Sequence, residues 1–438
     1  MEIYPSEYQQ LELNRYEKVF VRHASNDETY GMVFLKINPA MLRGEYLHAV
    51  ISSKGVVLCK FLTLTDASLF PIFIGPYMDG IFKNTVETVG QKLKTNKALL
   101  NLKGELVVRF AYICIFPEIN KADILTGDMT DSVEEFLEEQ CLFAEDFAGL
   151  RGNFSTIINR FLEKPNVLCA VNCMEICDTN VNSILHRIAP EYTTVRFAMA
   201  TNENSTSGAS QELLVVSEDD TAVRAFRLEP EQINIVNKMS KGDQLILACA
   251  GSGKSVLLIS KCFKAAKMNP DKKFLITCFN RNLQSLYTWY IERAGLQERN
   301  VECSTFDGLC KKLLERNDLF LPSGKNAIEA RRQAVMTAFS NGKIKDRYYG
   351  IFIDEVQMFE SSWYKFAYNL LENKENGDHI FIICGDKTQE IKQRQKHGKA
   401  RRHLSRIFSP NKQRYRTLIS HTATFAYHAQ FSYISLLR

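Results

Sequence analysis

The sequence predicts an α/β protein: a parallel sheet covered by helices on both faces, preceded by a separate mixed α/β domain. Three observations lead there. The second half of the chain alternates short apolar runs with amphipathic stretches, the pattern of doubly buried strands joined by crossover helices. Residues 201–220, "TNENSTSGASQELLVVSEDD", are small, polar and acidic at both ends, which is poor core material. The 438 residues also exceed what a single core usually serves. The expected division is a first domain over 1–200, a linker over 201–222, a second domain over 223–410 and a short further segment over 411–438.

Composition narrows the class without naming it. A hydrophobic fraction of 45% and a charged fraction of 24% are ordinary for a soluble globular protein. The net charge of +5 permits a nucleic-acid partner and does not demand one. No charged and apolar leader opens the chain and no apolar run reaches membrane-spanning length, so a cytoplasmic protein with no membrane partner is expected. The 12 cysteines stand singly, as in a reducing compartment. Cys169, Cys173 and Cys177 would form one stripe on a helix, but "LCAVNCMEICD" lacks the paired spacing of zinc sites, and free thiols are expected.

In the first domain, "YLHAVISSKGVVLCKFL" reads as two strands around a Ser-Lys-Gly turn, and "GELVVRFAYICIF" as another. "DMTDSVEEFLEEQCLFAEDFAG" reads as one acidic amphipathic helix that stops at Gly149. In the second, "QLILACA", "KFLITCF", "YYGIFIDE" and "HIFIICGD" are buried strands. "KSVLLISKCFKAAKMN" and "RNLQSLYTWYIERAG" are helices between them, the latter ending on Gly295. Basic residues crowd the stretch from Lys387 to Arg416, against the single acid Glu390. That stretch is either a solvated face or tail, or a strip that contacts a phosphate backbone.

The chemistry concentrates in "ACAGSGKS". Ala250, Gly251, Ser252 and Gly253 form a small-residue loop whose backbone N–H groups can turn toward one anion. Lys254 adds a charge for the outer phosphates, and Ser255 offers a hydroxyl to Mg²⁺. The helix that follows points its positive end at the same place. "GIFIDEVQ" supplies the other half. Asp354, at a strand end, would reach the metal through water, and Glu355 would orient and deprotonate an attacking water. Two adjacent carboxylates leaving a buried strand are costly unless a cation or solvent compensates them. "HIFIICGDKTQ" ends a third strand, and its Gln389 can sense a terminal phosphate. ATP and Mg²⁺ are the cofactors this set implies.

In sequence order, "LEPEQINIV", "ACAGSGKS", "LITCFNRNL", "STFDGL", "FIDEVQ" and "ICGDKTQ" resemble the motifs of the first RecA-like domain of superfamily 1 DNA helicases of the UvrD/Rep type, over residues 228 to about 391. Ala248, where the usual phosphate loop begins with glycine, is a normal variant in that family. The resemblance implies an ATP-dependent DNA helicase or translocase, an ATP hydrolase acting on single-stranded or partly duplex DNA in repair or defence. By position, Gln232 would read the adenine edge. Lys254, Ser255, Asp354 and Glu355 would keep the roles given above. Gln357 and Gln389 would couple nucleotide to DNA. Phe279, Asn280, Thr305 and Phe306 would touch single-stranded DNA, the two rings by stacking or, alternatively, as core residues. Two departures stand out: Asp307 replaces a histidine and would repel a phosphate, and no aromatics follow Gln389. Contacts from Lys392 and Arg394 could substitute.

"QRYRTLISHTATFAYHAQF" resembles the opening of the second motor domain, with Arg416, or alternatively Arg414, in the position that reaches the ATP site. That reading makes the chain a truncated helicase, whose missing domain would come from a protein partner or self-association. The alternative function is then a nucleotide- and DNA-binding module without turnover. A third reading is an unrelated phosphate-loop ATPase or kinase. The first domain resembles, more weakly, a nuclease-related domain of restriction-endonuclease-like fold. Its metal-binding acids and lysine fall on His48, Lys60 and Leu62, which implies a degenerate nuclease serving as scaffold or DNA-docking module. With the register shifted, Glu45 is a possible acid for that site.

Overall fold

The computed structural model describes residues 1–124, 130–197, 223–239, 241–248, 252–296, 300–386, 423–427 and 430–434. The chain divides into two compact units, Met1–Asn237 and Lys238–Arg438.

The first unit is built on a six-stranded mixed sheet. Its strands are β1 (Glu2–Tyr4), β2 (Gly31–Ile37), β3 (Leu47–Ser52), β4 (Gly55–Phe61), β5 (Phe110–Ile115) and β6 (Cys141–Leu142), in that spatial order. β2, β3 and β4 form an antiparallel meander, and β5 lies parallel to β4 after a helical crossover. The helix Arg15–Ser25 covers one face with Phe20, Val21 and Ala24, packed on Val33, Val50, Val57 and Ile113. The crossover covers the other face, where Phe82 stacks on Tyr112 at 4.7 Å. The expected long acidic helix is in fact broken. It runs from Asp131 to Gln140, yields to β6, and a second helix covers Ala144–Gly149. Cys141 and Leu142 are buried and pair with Cys114 and Ile115, so sheet pairing outweighs local helix propensity there.

The expected boundary at residue 223 also shifts. Strand β8 (Val223–Arg227) pairs antiparallel with β7 (Thr193–Phe197), and Tyr192 donates a 2.8 Å hydrogen bond to Asn237. These ties place 223–237 in the first unit, while 201–222 lies outside the described residues. The cysteine trio does not lie on a helix: residues 169–177 carry no helical turn.

One buried charge network locks the meander to its helix. Asn14 caps Arg15–Ser25 through a capping box with Glu17. A bulge between Phe34 and Ile37 puts Lys36 at φ 51°, which turns its ammonium to 2.8 Å from Glu17. His48 accepts from the Lys36 N–H through Nδ1, so its Nε2–H faces the Glu17 carboxylate at 3.0 Å. Burial works against ionisation of Glu17, but the hydrogen bonds from His48, Lys36 and the Asn14 N–H outweigh it and hold the carboxyl at about 2. Burial pushes the His48 imidazole below its ordinary value.

The second unit holds a seven-stranded sheet. Its strands are β9 (Gly242–Ala248), β10 (Phe274–Cys278), β11 (Val301–Thr305), β12 (Gly350–Ile353), β13 (Ile380–Asp386), β14 (Ala423–Tyr427) and β15 (Gln430–Ile434). The spatial order is β11-β10-β12-β13-β9-β15-β14, the first five parallel. The sequence reading anticipated β9, β10, β12 and β13 as buried parallel strands, and all four are present. Alternation sorts the side chains: Ile351, Ile353, Phe381 and Ile383 join a core with Leu309, Leu313, Val335 and Trp363. Phe352 and Ile382 point the other way, on the side of the sheet against which the helix Lys254–Met268 packs.

The low pKa of Glu17 sets a direction for stability. A carboxyl depressed from 4.5 to about 2 stabilises the fold above 4.5 and loses that contribution as pH falls toward 2. Glu17→Gln is expected to lower stability at neutral pH by on the order of 2 kcal/mol, with the gap to the parent closing on acidification. Denaturant melts at a series of pH values measure this. A gap that stays constant from about pH 6 to about pH 3.5 would show that Glu17 is not held ionised by its partners.

Candidate nucleotide-binding site

β9 aims the chain at the start of the helix Lys254–Met268. Ala250 and Gly251 of the expected loop lie outside the described residues. Gly253 adopts φ 81°, a left-handed conformation that glycine takes without steric cost, and it turns the chain directly into the helix. The first turn therefore presents unpaired N–H groups and the positive end of the helix dipole. Among the described residues the buried Ser252 hydroxyl has no partner, a state costing about 1–3 kcal/mol for a group left unsatisfied.

The acid half of the site follows from strand alternation. Asp354 comes directly after β12 and shares the parity of Phe352, so it faces the side of the sheet that carries the helix Lys254–Met268. Its N–H still bonds Thr277 on β10, at 3.0 Å. The side chain is fully buried. One carboxylate oxygen accepts from the Glu355 N–H at 2.8 Å, and the other accepts from the phenol of Tyr287. Tyr287 is itself buried, on the helix Arg281–Arg293 that follows β10. Glu355 sits at φ 53°, ψ 45°, left-handed for a residue with a side chain, a strain of order 1 kcal/mol. That conformation leaves its carboxylate 3.7 Å from the Lys254 ammonium.

These groups suit a nucleotide with its divalent metal. An ammonium, a helix N-terminus and an orphaned hydroxyl match phosphate oxygens. A serine hydroxyl and a buried carboxylate match a hard cation that favours oxygen ligands. Ser255 and Asp354 would hold Mg²⁺; Ser252, Gly253 and Lys254 would hold phosphates.

The other predicted residues are placed unevenly. Gln232 lies at the start of the helix Pro230–Asn237, in the first unit, and its side chain accepts from the Glu229 N–H at 3.1 Å. Phe279 is 45% exposed, and its ring lies parallel to Trp363 at 6.5 Å. Asn280 is exposed and caps the helix Arg281–Arg293. Thr305 is buried as the cap of the helix Phe306–Arg316, bonding Gly308 N–H at 3.1 Å. Phe306 takes the second of the two alternatives, that of a core residue. It is buried, 4.7 Å from Trp363 and packed on Phe359 and Phe366, so it offers no free face. Asp307 does not stand as a bare negative charge, because Arg332 pairs with it at 2.7 Å while lying over the Trp363 ring. Gln389, Lys392, Arg394, Arg414 and Arg416 lie outside the described residues.

Sequence reasoning missed Tyr287 and Lys261. A tyrosine on the buried face of a helix needs a partner for its hydroxyl, and that rule was the available signal for Tyr287. Lys261, two turns beyond Lys254 on the same face, is enclosed and donates to the Lys238 carbonyl at 2.8 Å. Burial pulls its pKa down to about 7. The unfolded chain binds that proton up to 10.5, so between about 7 and 10.5 stability rises with pH. Lys261→Met should remove this slope: the parent is expected to gain on the variant as pH rises from about 7 to about 10. Paired melting curves across that range check it, and a pH-independent difference would contradict the enclosed amine.

Residues 232–395 match a family model described as an AAA domain. The match spans less than half of the 438 residues. A comparison with curated proteins gives no match. Among the described residues, no helix is long and apolar enough to cross a membrane. The matched stretch contains Lys254, Ser255, Asp354 and Glu355, and it fits a phosphate-loop domain of helicase-like kind.

Proposed function

We propose that the chain is an ATP-driven DNA motor of the UvrD-like class, whose hydrolysis responds to single-stranded DNA. The observation that carries this is the pairing of Lys254 with Glu355 beside the buried Asp354, inside the matched domain. Ser255 and Asp354 would hold Mg²⁺, which when bound would supply positive charge against the charge developing on the phosphates. Lys254 would leave Glu355 for the phosphates, which frees that carboxylate to orient and deprotonate the attacking water. Asp354, held by Tyr287 and the Glu355 N–H, needs no rearrangement. The rate gain would come from positioning and fixed charges.

Phe279 would be the stacking ring for a base, a contact that tolerates any sequence and suits a motor. Asn280 would contact the strand beside it. Lys392 and Arg394 would contact the backbone, Gln357 and Gln389 would couple nucleotide to DNA, and Arg416 would reach the ATP of a working motor. Gln232 would read adenine.

The antiparallel meander, crossover and parallel strand of the first unit support a nuclease-related fold. The aligned positions His48, Lys60 and Leu62 bring no carboxylate, and Glu45 lies 2.6 Å from Lys60. We read this unit as a docking scaffold that does not cut.

ATP hydrolysis with and without single-stranded DNA tests the motor. A DNA-stimulated rate is expected, falling about 10²-fold or more in Lys254→Ala. Phe279→Ala should raise the DNA concentration needed for stimulation about tenfold and spare the DNA-free rate. A rate indifferent to DNA, or undiminished in Lys254→Ala, would rule the motor out. Nucleotide binding without turnover would leave a binding module.

A further inference from the structure

The exposed ring of Phe279 shares its support with a cation. Phe279 lies parallel to Trp363 at 6.5 Å, and the Arg332 guanidinium lies over the same indole, 4.1 Å from the ring centre. All three residues belong to the second unit. Arg332 and Glu329 stand one turn apart on the helix Ala327–Ser340. Asp307 stands in the first turn of the helix Phe306–Arg316 and accepts from the Arg332 Nε–H at 2.7 Å. The carboxylate fixes one edge of the guanidinium and the indole fixes its plane.

The other end of the fork is poorly used. Nη1 meets the Glu329 carboxylate at 3.3 Å, and Nη2 makes no hydrogen bond among the described residues. The side chain keeps 16% of its surface exposed, and none of its atoms is buried without a partner, so Nη2 meets solvent. Glu329 is itself 60% exposed. A pair so placed contributes little, because its charge is screened and its long side chains must be held still. A phosphate suits the same place better. It offers two oxygens to Nη1 and Nη2 together, the bidentate match that a guanidinium makes and an ammonium cannot.

We propose that Arg332 binds a phosphate of single-stranded DNA next to the base that stacks on Phe279, and that Glu329 holds the phosphate's place until the strand arrives. The inference rests on reading the Phe279 surface as the one that meets the strand. Asp307, expected from the sequence to repel a phosphate, then aims the cation that receives one. Glu329 opposes binding, because the strand must displace it. The two exposed partners, a flat ring and a guanidinium end, together take a base and a phosphate without reading sequence.

The test is binding of a fluorescein-labelled oligothymidylate to the full chain, followed by anisotropy over a series of salt concentrations. Arg332→Gln is expected to weaken binding about fivefold or more and to lower the slope of log affinity against log salt by about 0.7, the share of one phosphate contact on a single strand. Arg332→Lys, which keeps the charge, should keep the slope. Glu329→Gln should tighten binding about threefold, opposite in sign to the loss in Arg332→Gln. Phe279→Ala should weaken binding and leave the slope unchanged. An arginine that only braces Trp363 would weaken binding without moving the slope, and Glu329→Gln would then have no effect. Glu329 is exposed, so its variant decides the matter should Arg332→Gln melt below the assay temperature. An unchanged slope in folded Arg332→Gln, or a Glu329→Gln variant that binds no tighter, overturns the contact and leaves the Phe279 surface standing. No binding of the strand by the parent removes the surface and the contact together.

Discussion

Asp354 carries its carboxyl at the exit of a parallel strand with no exposed surface, and the chemistry of the second unit is arranged around that constraint. A buried carboxylate needs a donor for each oxygen. Backbone supplies one, because the chain turns sharply at Glu355 and brings that N–H back over Asp354. The neighbouring helix supplies the other through Tyr287. The same turn that serves Asp354 throws the Glu355 side chain toward Lys254. One local requirement thus accounts for the strained backbone, the buried tyrosine and the lysine–glutamate pair.

Both units pair charged side chains with one another, and the phosphate-loop site differs in one respect. In the first, Glu17 is taken up by Lys36 and His48, and Glu45 by Lys60. Charges so matched hold a fold together and leave little for a ligand. Among the described residues, no group of three or more His, Cys, Asp or Glu could hold a metal ion. At the phosphate loop Ser252 keeps a buried hydroxyl with no partner among the described residues, and Lys254 and Glu355 stand 3.7 Å apart. An incompletely satisfied site is the one that gains by binding something.

The parallel sheet was legible because its strands are short apolar runs bounded by charged or small residues, a signal that depends only on burial. The approach of Lys254 to the Asp354–Glu355 pair was legible because residues of those types in that order suit phosphate and metal chemistry. The break at Cys141 was not, since "EEFLEEQCLFAEDF" keeps helical spacing throughout and only pairing with β5 interrupts it. Nor was the fate of Phe306, because the ring that follows Thr305 looks the same in sequence whether it meets a base or Trp363. Tyr287 stayed hidden for a related reason. Its partner lies at the end of the adjacent strand β12, and sequence spacing says nothing of which helix faces which strand end.

Trp363 sits between a buried ring and an exposed one, with Phe306 at 4.7 Å and Phe279 at 6.5 Å, both nearly parallel to it. The chain has only one other tryptophan, Trp289, which is contacted by Arg293 and Tyr290. The indole of Trp363 is therefore an intrinsic optical probe one ring removed from the surface proposed to meet DNA. A change in the stacking of Phe279 would alter its emission without any label, so occupancy of that surface can be followed in the unmodified protein.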